Sequence, residues 1–341
     1  MGSAIADVAA RAGVSKATAS RALSGKGYVA ESTRQRVVLA AKEIGFVASP
    51  NAASLVTGQT KNIGVVIPFI NRWFFGEILE GIEQALLNRG YDMTLYNIYP
   101  GSADRDRVFD FFLARKRFDG VIAIGVDSTP EETERLLRLG IPLLSVGAPV
   151  AGVRSLTIDD AAAGRLATEH LLGLGHRRIL HIGGPVTGED DASVQGRRLR
   201  GYVGAMTQSG LESELSFAQT AMSVPGGYEA GAHSLSDPSS RPTAVFAACD
   251  EIAIGVMIAA RRLGVRVPAD LSLVGIDGHE YAEMFSLTTI EQKPRAQGQA
   301  AVADLLAAVS GEAMAADVVD MPARLVVRAS TAYARANADA V

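Results

Sequence analysis

The length, composition and single cysteine of the chain predict a globular protein of two or three domains and exclude several other classes. The chain has 341 residues, of which 48% are hydrophobic and 21% are charged, and Cys249 is its one cysteine, so no internal disulfide framework can form. The longest apolar runs, such as NIGVVIPFI, are far too short to span a bilayer, and no apolar segment follows basic residues near the N-terminus. We therefore expect a cytoplasmic protein with neither a secretory signal nor a membrane partner.

Charge is distributed unevenly along the chain. The whole chain has a formal net charge of −4, whereas residues 1–62 contain eight Lys and Arg but only three Asp and Glu, which gives this segment +5. A basic head on an acidic body is typical of a protein whose head binds a polyanion. An ordinary solvated surface of the same charge is the alternative that composition leaves open.

Two short helices joined by a glycine turn are predicted at the start of the head. The first is predicted over Ile5–Ala12, because its apolar residues recur on one face of a 3.6-residue period. Gly13 ends it, since glycine enters the left-handed C-cap conformation at little cost. Ser15 can cap a second helix over Lys16–Ser24 by accepting a hydrogen bond from its free N–H groups. Two helices in this arrangement form a helix-turn-helix.

The second predicted helix has an inner and an outer face. Ala19 and Leu23 of this helix, and Val14 just before it, are expected to point inward. The residues expected to contact base edges from the outer face are Lys16, Ala17, Ser20 and Arg21. In a helix-turn-helix the second helix lies in the DNA major groove. There, Lys16 and Arg21 can donate to guanine or phosphate, and Ala17 can contact a thymine methyl. An ordinary helical pair without a DNA role is the alternative.

A third helix is predicted over Ser32–Gly45, and it would close a three-helix domain. Its expected core residues are Val37, Ala40, Ala41 and Ile44. Phosphate contacts set the register of such a domain on the duplex without reading its sequence. The residues expected to make them are Ser15, Lys26, Thr33 and Arg34.

The head and further motifs resemble the LacI/GalR family of bacterial repressors over essentially the whole chain. The motifs that carry the resemblance are DVAARAGVS, TRQRV, EHLLGLGHRRI and LTTI. The chain departs from the family at Ala19, where the family usually has Val, and this implies an underfilled core that costs about 1 kcal/mol. It also has Ala30 where a hydroxyl residue often caps the third helix.

The segment ASPNAASLVTGQTKN is expected to link the head to the body. Ser49 can cap a short helix, Pro50 can occupy its first position and Gly58 ends it. A helix of about two turns is not stable alone in water, because nucleation is unfavourable. The resemblance implies that two such hinge helices pair over the minor groove and that Leu55 is the apolar wedge that kinks the duplex. A plain flexible tether is the alternative.

From Asn62 onward, apolar runs alternate with helical patterns, which indicates parallel β-sheets covered by helices on both faces. Two such halves in series predict two lobes, and the resemblance implies a periplasmic-binding-protein-like body. We expect a helix-turn-helix domain over 1–47, a hinge over 48–61 and an effector-binding and dimerisation domain over 62–341. Within the body, the expected N-lobe is 62–159 with 295–322, and the expected C-lobe is 160–292 with 323–337.

Ligands of open α/β sheets bind beyond the carboxyl ends of the strands, and several residue types suited to a sugar fall there. Flat aromatic rings pack on sugar C–H faces, amides bond hydroxyls, and a guanidinium holds two hydroxyls or a carboxylate. The expected effector-binding residues are Phe69, Asn71, Trp73, Phe74, Arg198, Cys249, Asp250 and Asp277. The resemblance implies the roles of Arg198 and Asp277, whereas Cys249 replaces an Asn that the family often has. Phe75 is expected in the core, Arg197 and Arg200 at the surface. Asp159 and Asp160 can equally steady the lobes or touch the ligand.

Other classes of function receive little support. HIGGP is neither a dinucleotide-binding nor a P-loop motif, and the five histidines do not follow a metal-ligand spacing, so we expect no cofactor, no metal and no enzyme activity. A sugar-binding protein or a sugar-acting enzyme without a regulatory role remains the alternative. The sequence favours a homodimeric, sequence-specific transcriptional regulator, most simply a repressor of carbohydrate uptake or catabolism genes. Its partners would be double-stranded operator DNA and a small effector, expected to be a sugar, that changes DNA binding in a direction the sequence leaves open.

Overall fold

The computed structural model describes residues 5–24, 27–46, 58–99, 102, 104–109, 117–126, 128–188 and 192–335. The chain divides into two compact units. One comprises the residues up to Asn62 together with Arg117–Asp119, and the other comprises the rest. Within the described ranges, no helix is long and apolar enough to cross a membrane. The domain limits that we expect from the sequence, 1–47, 48–61 and 62–341, stay predictions.

The first unit contains a three-helix domain built around small side chains. Its helices are α1 (Ile5–Ala12), α2 (Lys16–Ser24) and α3 (Glu31–Glu43). The side chains buried between them are Val8, Ala9, Ala12, Ala19, Ala22, Val37, Ala40 and Ala41. Because alanine predominates in this set, the helices approach one another closely and bury little apolar area per residue.

Local start and stop signals of the head act as the sequence indicates. α1 and α2 have the predicted bounds, and Gly13 between them takes the left-handed conformation at φ +65°. The Oγ of Ser15 accepts a hydrogen bond from the Thr18 N–H at 3.1 Å, which caps α2. α3 begins one residue earlier than predicted, after Ala30, which provides no side-chain cap. It ends two residues earlier, because Gly45 already lies at φ +63°.

Two six-stranded sheets and the helices around them make up the α/β part of the chain. The strands are β1 (Asn62–Ile67), β2 (Asp92–Asn97), β3 (Gly120–Ile124), β4 (Leu143–Val146), β5 (Arg154–Thr157), β6 (Ile179–Gly183), β7 (Ser216–Gln219), β8 (Ala244–Ala247), β9 (Ser272–Asp277), β10 (Thr288–Glu291), β11 (Val318–Asp320) and β12 (Arg324–Val326). The helices are α4 (Trp73–Leu87), α5 (Asp104–Arg107), α6 (Pro130–Leu137), α7 (Asp160–Gly173), α8 (Val194–Gln208), α9 (Val224–Leu235), α10 (Asp250–Arg262) and α11 (Pro294–Val309).

Each sheet forms a lobe with its own core. The first sheet has the order β11-β5-β4-β3-β1-β2, and α4 and α11 pack together beside it to form the N-lobe. The second has the order β12-β10-β9-β8-β6-β7 and forms the C-lobe with the paired helices α7–α8 and α9–α10. Apart from the antiparallel β10–β12 pair, the described ladders are parallel. The prediction of two parallel-sheet α/β lobes is therefore confirmed.

Three short segments carry the chain between the lobes. They are residues 158–159 between β5 and α7, residues 292–293 between β10 and α11, and residues 321–323 between β11 and β12. We call them the first, second and third crossovers. Because α7 follows the first crossover directly and the second crossover follows β10, both begin or end beside the carboxyl ends of the C-lobe strands, where a ligand of an α/β sheet binds.

Candidate DNA-reading face and candidate ligand site

The outer face of α2 is free for contact with a partner molecule. Lys16, Ala17, Ser20 and Arg21 are all exposed, and the opposite face of the helix is buried through Ala19 and Ala22. The first turn of α2 contains no acidic residue. A helix N-terminus carries partial positive charge, so this end of α2 favours an anion. The structure thus places all four predicted base-reading residues on one surface.

The predicted phosphate-contacting residues have more varied surroundings. Ser15 is exposed beside the start of α2, and Thr33 is half-buried. Arg34 is also half-buried, and its Nη1 donates to the Ala22 carbonyl at 3.1 Å. This bond satisfies a carbonyl at the C-terminal end of α2, a structural task that the sequence did not indicate. Lys26, like Leu55 of the linker, lies outside the described residues.

Arg21 is held in a defined orientation on the outer face. Its Nε donates to the Ala17 carbonyl at 3.2 Å. Its aliphatic stem lies beside Gly27, whose φ is +76°, and a Cβ at Gly27 would come within 3.3 Å of the Arg21 Cδ. A guanidinium that is ordered before binding loses less side-chain entropy when it meets a base or phosphate.

Aromatic side chains of the N-lobe cluster where β1 leads into α4. Phe69 meets Phe75 edge-on, with ring centroids 5.9 Å apart, and Phe74 meets Phe75 in the same way at 5.4 Å. Phe75 packs against the N-lobe core, as expected, although it is only half-buried. Asn71 is exposed next to this cluster. Phe69, Asn71 and Phe74 are therefore near one another, but no described contact joins them to Arg198 or Asp277.

Trp73 joins the two lobes. Its ring stacks on that of His279 of the C-lobe, with centroids 4.5 Å apart and an interplanar angle of 26°. The indole Nε1 is buried without a hydrogen-bond partner among the described residues. Burial lowers the pKa of His279 to about 4, so the imidazole is neutral near pH 7. Its Nδ1 accepts from the Tyr281 N–H at 3.0 Å, which leaves the ring proton on Nε2.

Arg198 is a buried cation with two fixed partners. It is only 5% exposed, its Nε donates to Asp160 Oδ1 at 2.9 Å, and its Nη1 donates to the Ala248 carbonyl at 2.5 Å. Asp160 is also buried, and its Oδ2 accepts from Arg197 Nη2 at 2.8 Å. The expectation that Arg197 is a surface residue is wrong, because this bond draws its side chain to 18% exposure, whereas Arg200 is exposed.

Asp250 and Cys249 lie side by side at the start of α10, but both are turned inward. Asp250 is fully buried and accepts from the His279 N–H at 2.8 Å and from Thr289 Oγ1 at 2.7 Å. Burial raises the pKa of Asp250 to about 6. The Cys249 side chain is buried and does not cap α10, and burial raises the pKa of its thiol well above the ordinary value. Asp250 therefore ties α10 to β10, and Cys249 is a neutral thiol rather than a nucleophile.

Asp277 ends β9 in an unusual backbone conformation, and its buried carboxyl has a raised pKa. Its φ is +141°, and its Oδ1 accepts from Gln292 Nε2 at 2.6 Å. Burial raises the pKa of Asp277 to about 8, although nearby Arg198 opposes the rise. A protonated carboxyl can donate one hydrogen bond and accept others, which suits it to a hydroxyl group.

The structure thus gathers four predicted residues, Arg198, Cys249, Asp250 and Asp277, at the carboxyl ends of the C-lobe strands. Three residues that no sequence pattern indicates hold these groups, and they are Gln292, His279 and Thr289. The sequence leaves the role of Asp160 open. Among the described residues, no cluster of three or more His, Cys, Asp or Glu could hold a metal ion.

Comparisons with known proteins agree with this architecture. Residues 4–49 match the family described as bacterial regulatory proteins, lacI family, and residues 168–331 match the periplasmic binding protein-like domain. The chain is 34% identical over 339 residues to the HTH-type transcriptional repressor PurR of Proteus mirabilis (strain HI4320), with 96% of each chain covered. It is 33% identical to the repressor of the same name from Serratia proteamaculans (strain 568), again with 96% of each covered.

Solved structures are similar over the whole chain or the body. The lac repressor dimer bound to operator and the anti-inducer ONPF is 26% identical, with a TM-score of 0.85 over 97% of this chain and 100% of that one. The transcriptional regulator CelR–cellobiose complex is 28% identical, with a TM-score of 0.69 over 96% and 99%. A LacI family regulator from Enterococcus faecium with bound ribose is 27% identical, with a TM-score of 0.71 over 80% and 100%. The named relatives are transcriptional regulators, not enzymes.

Proposed function

Because the chain belongs to the lacI family of bacterial regulatory proteins, and is a DNA-binding transcriptional regulator rather than an enzyme, we propose that it represses carbohydrate uptake or catabolism genes in the cytoplasm. Its effector is a sugar bound between the lobes. The observation that carries the sugar assignment is the presence of a buried guanidinium, Arg198, and a buried carboxyl, Asp277, at the carboxyl ends of the C-lobe strands. The cellobiose and ribose in two similar structures support the same ligand class.

In this proposal the head reads DNA as a homodimer. Two-fold symmetry places one helix-turn-helix on each half of a near-palindromic operator. Lys16, Ala17, Ser20 and Arg21 contact base edges in the major groove. Phosphate contacts come from Ser15, Lys26, Thr33 and Arg34. The lac repressor dimer seen on its operator supports this arrangement.

The linker connects the DNA and effector sites. Leu55 of each subunit enters the minor groove and kinks the duplex at the centre of the operator, as the family resemblance implies. The sugar favours one arrangement of the lobes and thereby releases the protein from DNA. The alternative is that the sugar favours the DNA-binding arrangement and so promotes operator binding. By linkage, the sugar changes operator affinity by the same factor as operator changes sugar affinity.

A thermal-shift screen followed by a gel shift tests the function. We expect one or more sugars or sugar phosphates to raise the melting temperature, since ligands that bind the folded state stabilise it by mass action. The same compounds should change binding to the duplex upstream of this gene, and random DNA of equal length is the control. Leu55→Ala should weaken operator binding and leave sugar affinity unchanged.

Two results would contradict the proposal. One is equal affinity for the upstream duplex and random DNA, with and without the compounds. The other is steady chemical turnover of a sugar by the pure protein. Operator binding should also fall steeply with salt concentration, in proportion to the number of phosphates neutralised.

A further inference from the structure

Arg198 and Asp277, the two ionisable groups of the candidate ligand site, are each held by a residue in or directly after a crossover between the lobes. Arg198 and Asp277 both belong to the C-lobe, on α8 and β9. The side chains that fix them come from Asp160, directly after the first crossover, and Gln292, within the second crossover. The ligand site and the hinge therefore share hydrogen bonds.

The first of these connections is an ion pair with both partners buried. Asp160 is 1% exposed and Arg198 is 5% exposed, and the Nε–Oδ1 distance between them is 2.9 Å. The helices behind them are locked together, because a Cβ at Gly164 of α7 would overlap the Arg198 carbonyl. The backbone of Arg198 is thus fixed relative to α7. Its guanidinium is fixed by Asp160, the first residue after the crossover.

The second connection runs through two glutamines. Gln292 donates to Asp277 Oδ1 at 2.6 Å, and the Gln292 carbonyl accepts from Gln297 Nε2 at 2.7 Å. Gln297 is 1% exposed and belongs to α11, which packs on the N-lobe. A continuous path of hydrogen bonds therefore leads from the Asp277 carboxyl, through the second crossover, to a helix of the other lobe.

The first and third crossovers are each hydrogen-bonded to the end of the strand that precedes the other. The Met321 N–H donates to the Thr157 carbonyl at 2.7 Å, and the Asp159 N–H donates to Asp320 Oδ1 at 3.1 Å. These bonds extend the β5–β11 pairing to the start of both crossovers. A change of lobe angle is absorbed by a few residues at such segments, and hydrogen bonds weaken steeply once their geometry is lost.

We propose that Asp160 and Gln292 are positioning residues that tie the placement of Arg198 and Asp277 to the angle between the lobes. A polyhydroxyl ligand that bonds both groups then fixes the hinge directly, without a relay through either core. This identification of the ligand rests on the proposed function, but the hinge contacts themselves do not. The energy of coupling is the difference in ligand binding between the two lobe angles.

The test measures the distance between the lobes in the full chain without any ligand. Spin labels are attached to cysteines introduced at exposed Glu131 of the N-lobe and exposed Gln208 of the C-lobe. Cys249 remains in place, because a buried thiol with a raised pKa does not react with the label. Labelled chains are mixed with an excess of unlabelled chains, so that each dimer carries one pair of labels.

Variants that break either connection should broaden the distance distribution or move its mean by about 2 Å or more, the scale of hinge rearrangements. The variants are Asp160→Asn, which removes the charge that Arg198 requires, and Gln292→Met, which has a similar shape but no amide. Asp159→Ser, which removes a neighbouring exposed charge and keeps a helix-capping oxygen, is the matched control for Asp160.

Arg198→Met separates a positioning role from a merely structural one. If Asp160 acts through Arg198, this variant broadens the distribution as much as Asp160→Asn, and the double variant adds nothing further. If Asp160 only stabilises the start of α7, the double variant broadens the distribution beyond either single variant, and the proposal is overturned. An unchanged distribution in Gln292→Met overturns the second connection, even where an Arg198 variant fails to fold. Failure of sugar or operator binding would contradict the proposed function and leave these distances unaffected.

Discussion

The head and the C-lobe place their charged groups in opposite environments. In the head, Lys16 and Arg21 are exposed on a helix whose buried face consists of alanines. In the C-lobe, Arg198 and Asp160 are each no more than 5% exposed. Exposed charges act over long distances and are screened by salt, which suits the recognition of a polyanion. Buried charges must each be paired, so they are sensitive to the position of every neighbour, which suits the recognition of a small ligand.

The largest expected effect on stability comes from removing one partner of the buried Arg198–Asp160 ion pair. Arg198→Met should lower the free energy of unfolding by about 3–5 kcal/mol, because it leaves part of the Asp160 carboxylate buried without a partner. Arg197→Met, which removes the more exposed partner of the same carboxylate, should cost less, because Arg198 still pairs with the carboxylate in this variant. Urea unfolding of both variants measures the difference, and equal losses would show that burial does not distinguish the two arginines.

The next effect concerns the pH dependence of stability. Burial raises the pKa of Asp277 to about 8, and Asp250 and Glu251 add to the rise while Arg198 and the Gln292 amide oppose it. Between the unfolded value of about 4 and the folded one, the folded state holds a proton that the unfolded state has lost. Stability should therefore fall as pH rises through this interval.

Asp277→Asn should remove that slope, because an amide does not titrate. Melting temperatures from pH 5 to pH 8 should thus favour the variant increasingly towards the alkaline end. Asp270→Asn is the control, since Arg266 holds the pKa of the Asp270 carboxyl below its usual range and this group stays ionised throughout. Parallel curves for wild type and Asp277→Asn would contradict the prediction.

A smaller effect is expected on the exposed side of the comparison. Arg21→Ala should weaken operator binding by about 1–3 kcal/mol if the guanidinium reads a base. In that case the dependence of affinity on salt stays the same. Loss of a phosphate contact instead reduces the slope of log affinity against log salt concentration by about one. Gel shifts at several salt concentrations distinguish the two roles. Lys42→Ala, on the last turn of α3, is the control and should leave sequence preference unchanged.

The smallest effect is in the alanine-rich core of the head. Ala19 is fully buried, and Ala19→Val adds two carbon atoms, which should stabilise the head by about 1 kcal/mol if the neighbouring helices accept them. Ala10→Val on the exposed face of α1 should give no such gain. Thermal unfolding monitored by helical circular dichroism compares the two, and a loss at Ala19 would show that this core is already full.

The sequence predicts most where structure is decided locally. α1 and α2 were predicted with their exact bounds, because Gly13 and Ser15 supply stop and start signals within a few residues. β7 and α9 received no prediction. β7 is an edge strand with three exposed residues, so it lacks an alternating pattern. α9 contains VPGG, which is typical of a turn. Its glycines form a helix here because they pack closely against α10.

The candidate ligand site shows the same limit. Arg198 and Asp277 were found because they belong to family motifs, but their partners belong to none. Asp160 lies 38 residues from Arg198, and Gln292 lies 15 residues from Asp277. Such pairs are set by how the lobes and crossovers pack, which no local pattern reveals. Trp73 and His279 came together for the same reason.

The stack between Trp73 and His279 also gives the protein an internal optical reporter. Trp73 is the one tryptophan of the chain, so all indole emission from a subunit originates where the two lobes touch. Separation of the rings, or insertion of a molecule between them, changes the environment of that single fluorophore without any added dye. Changes in the angle between the lobes can thus be followed in real time by the emission wavelength and intensity of Trp73 fluorescence.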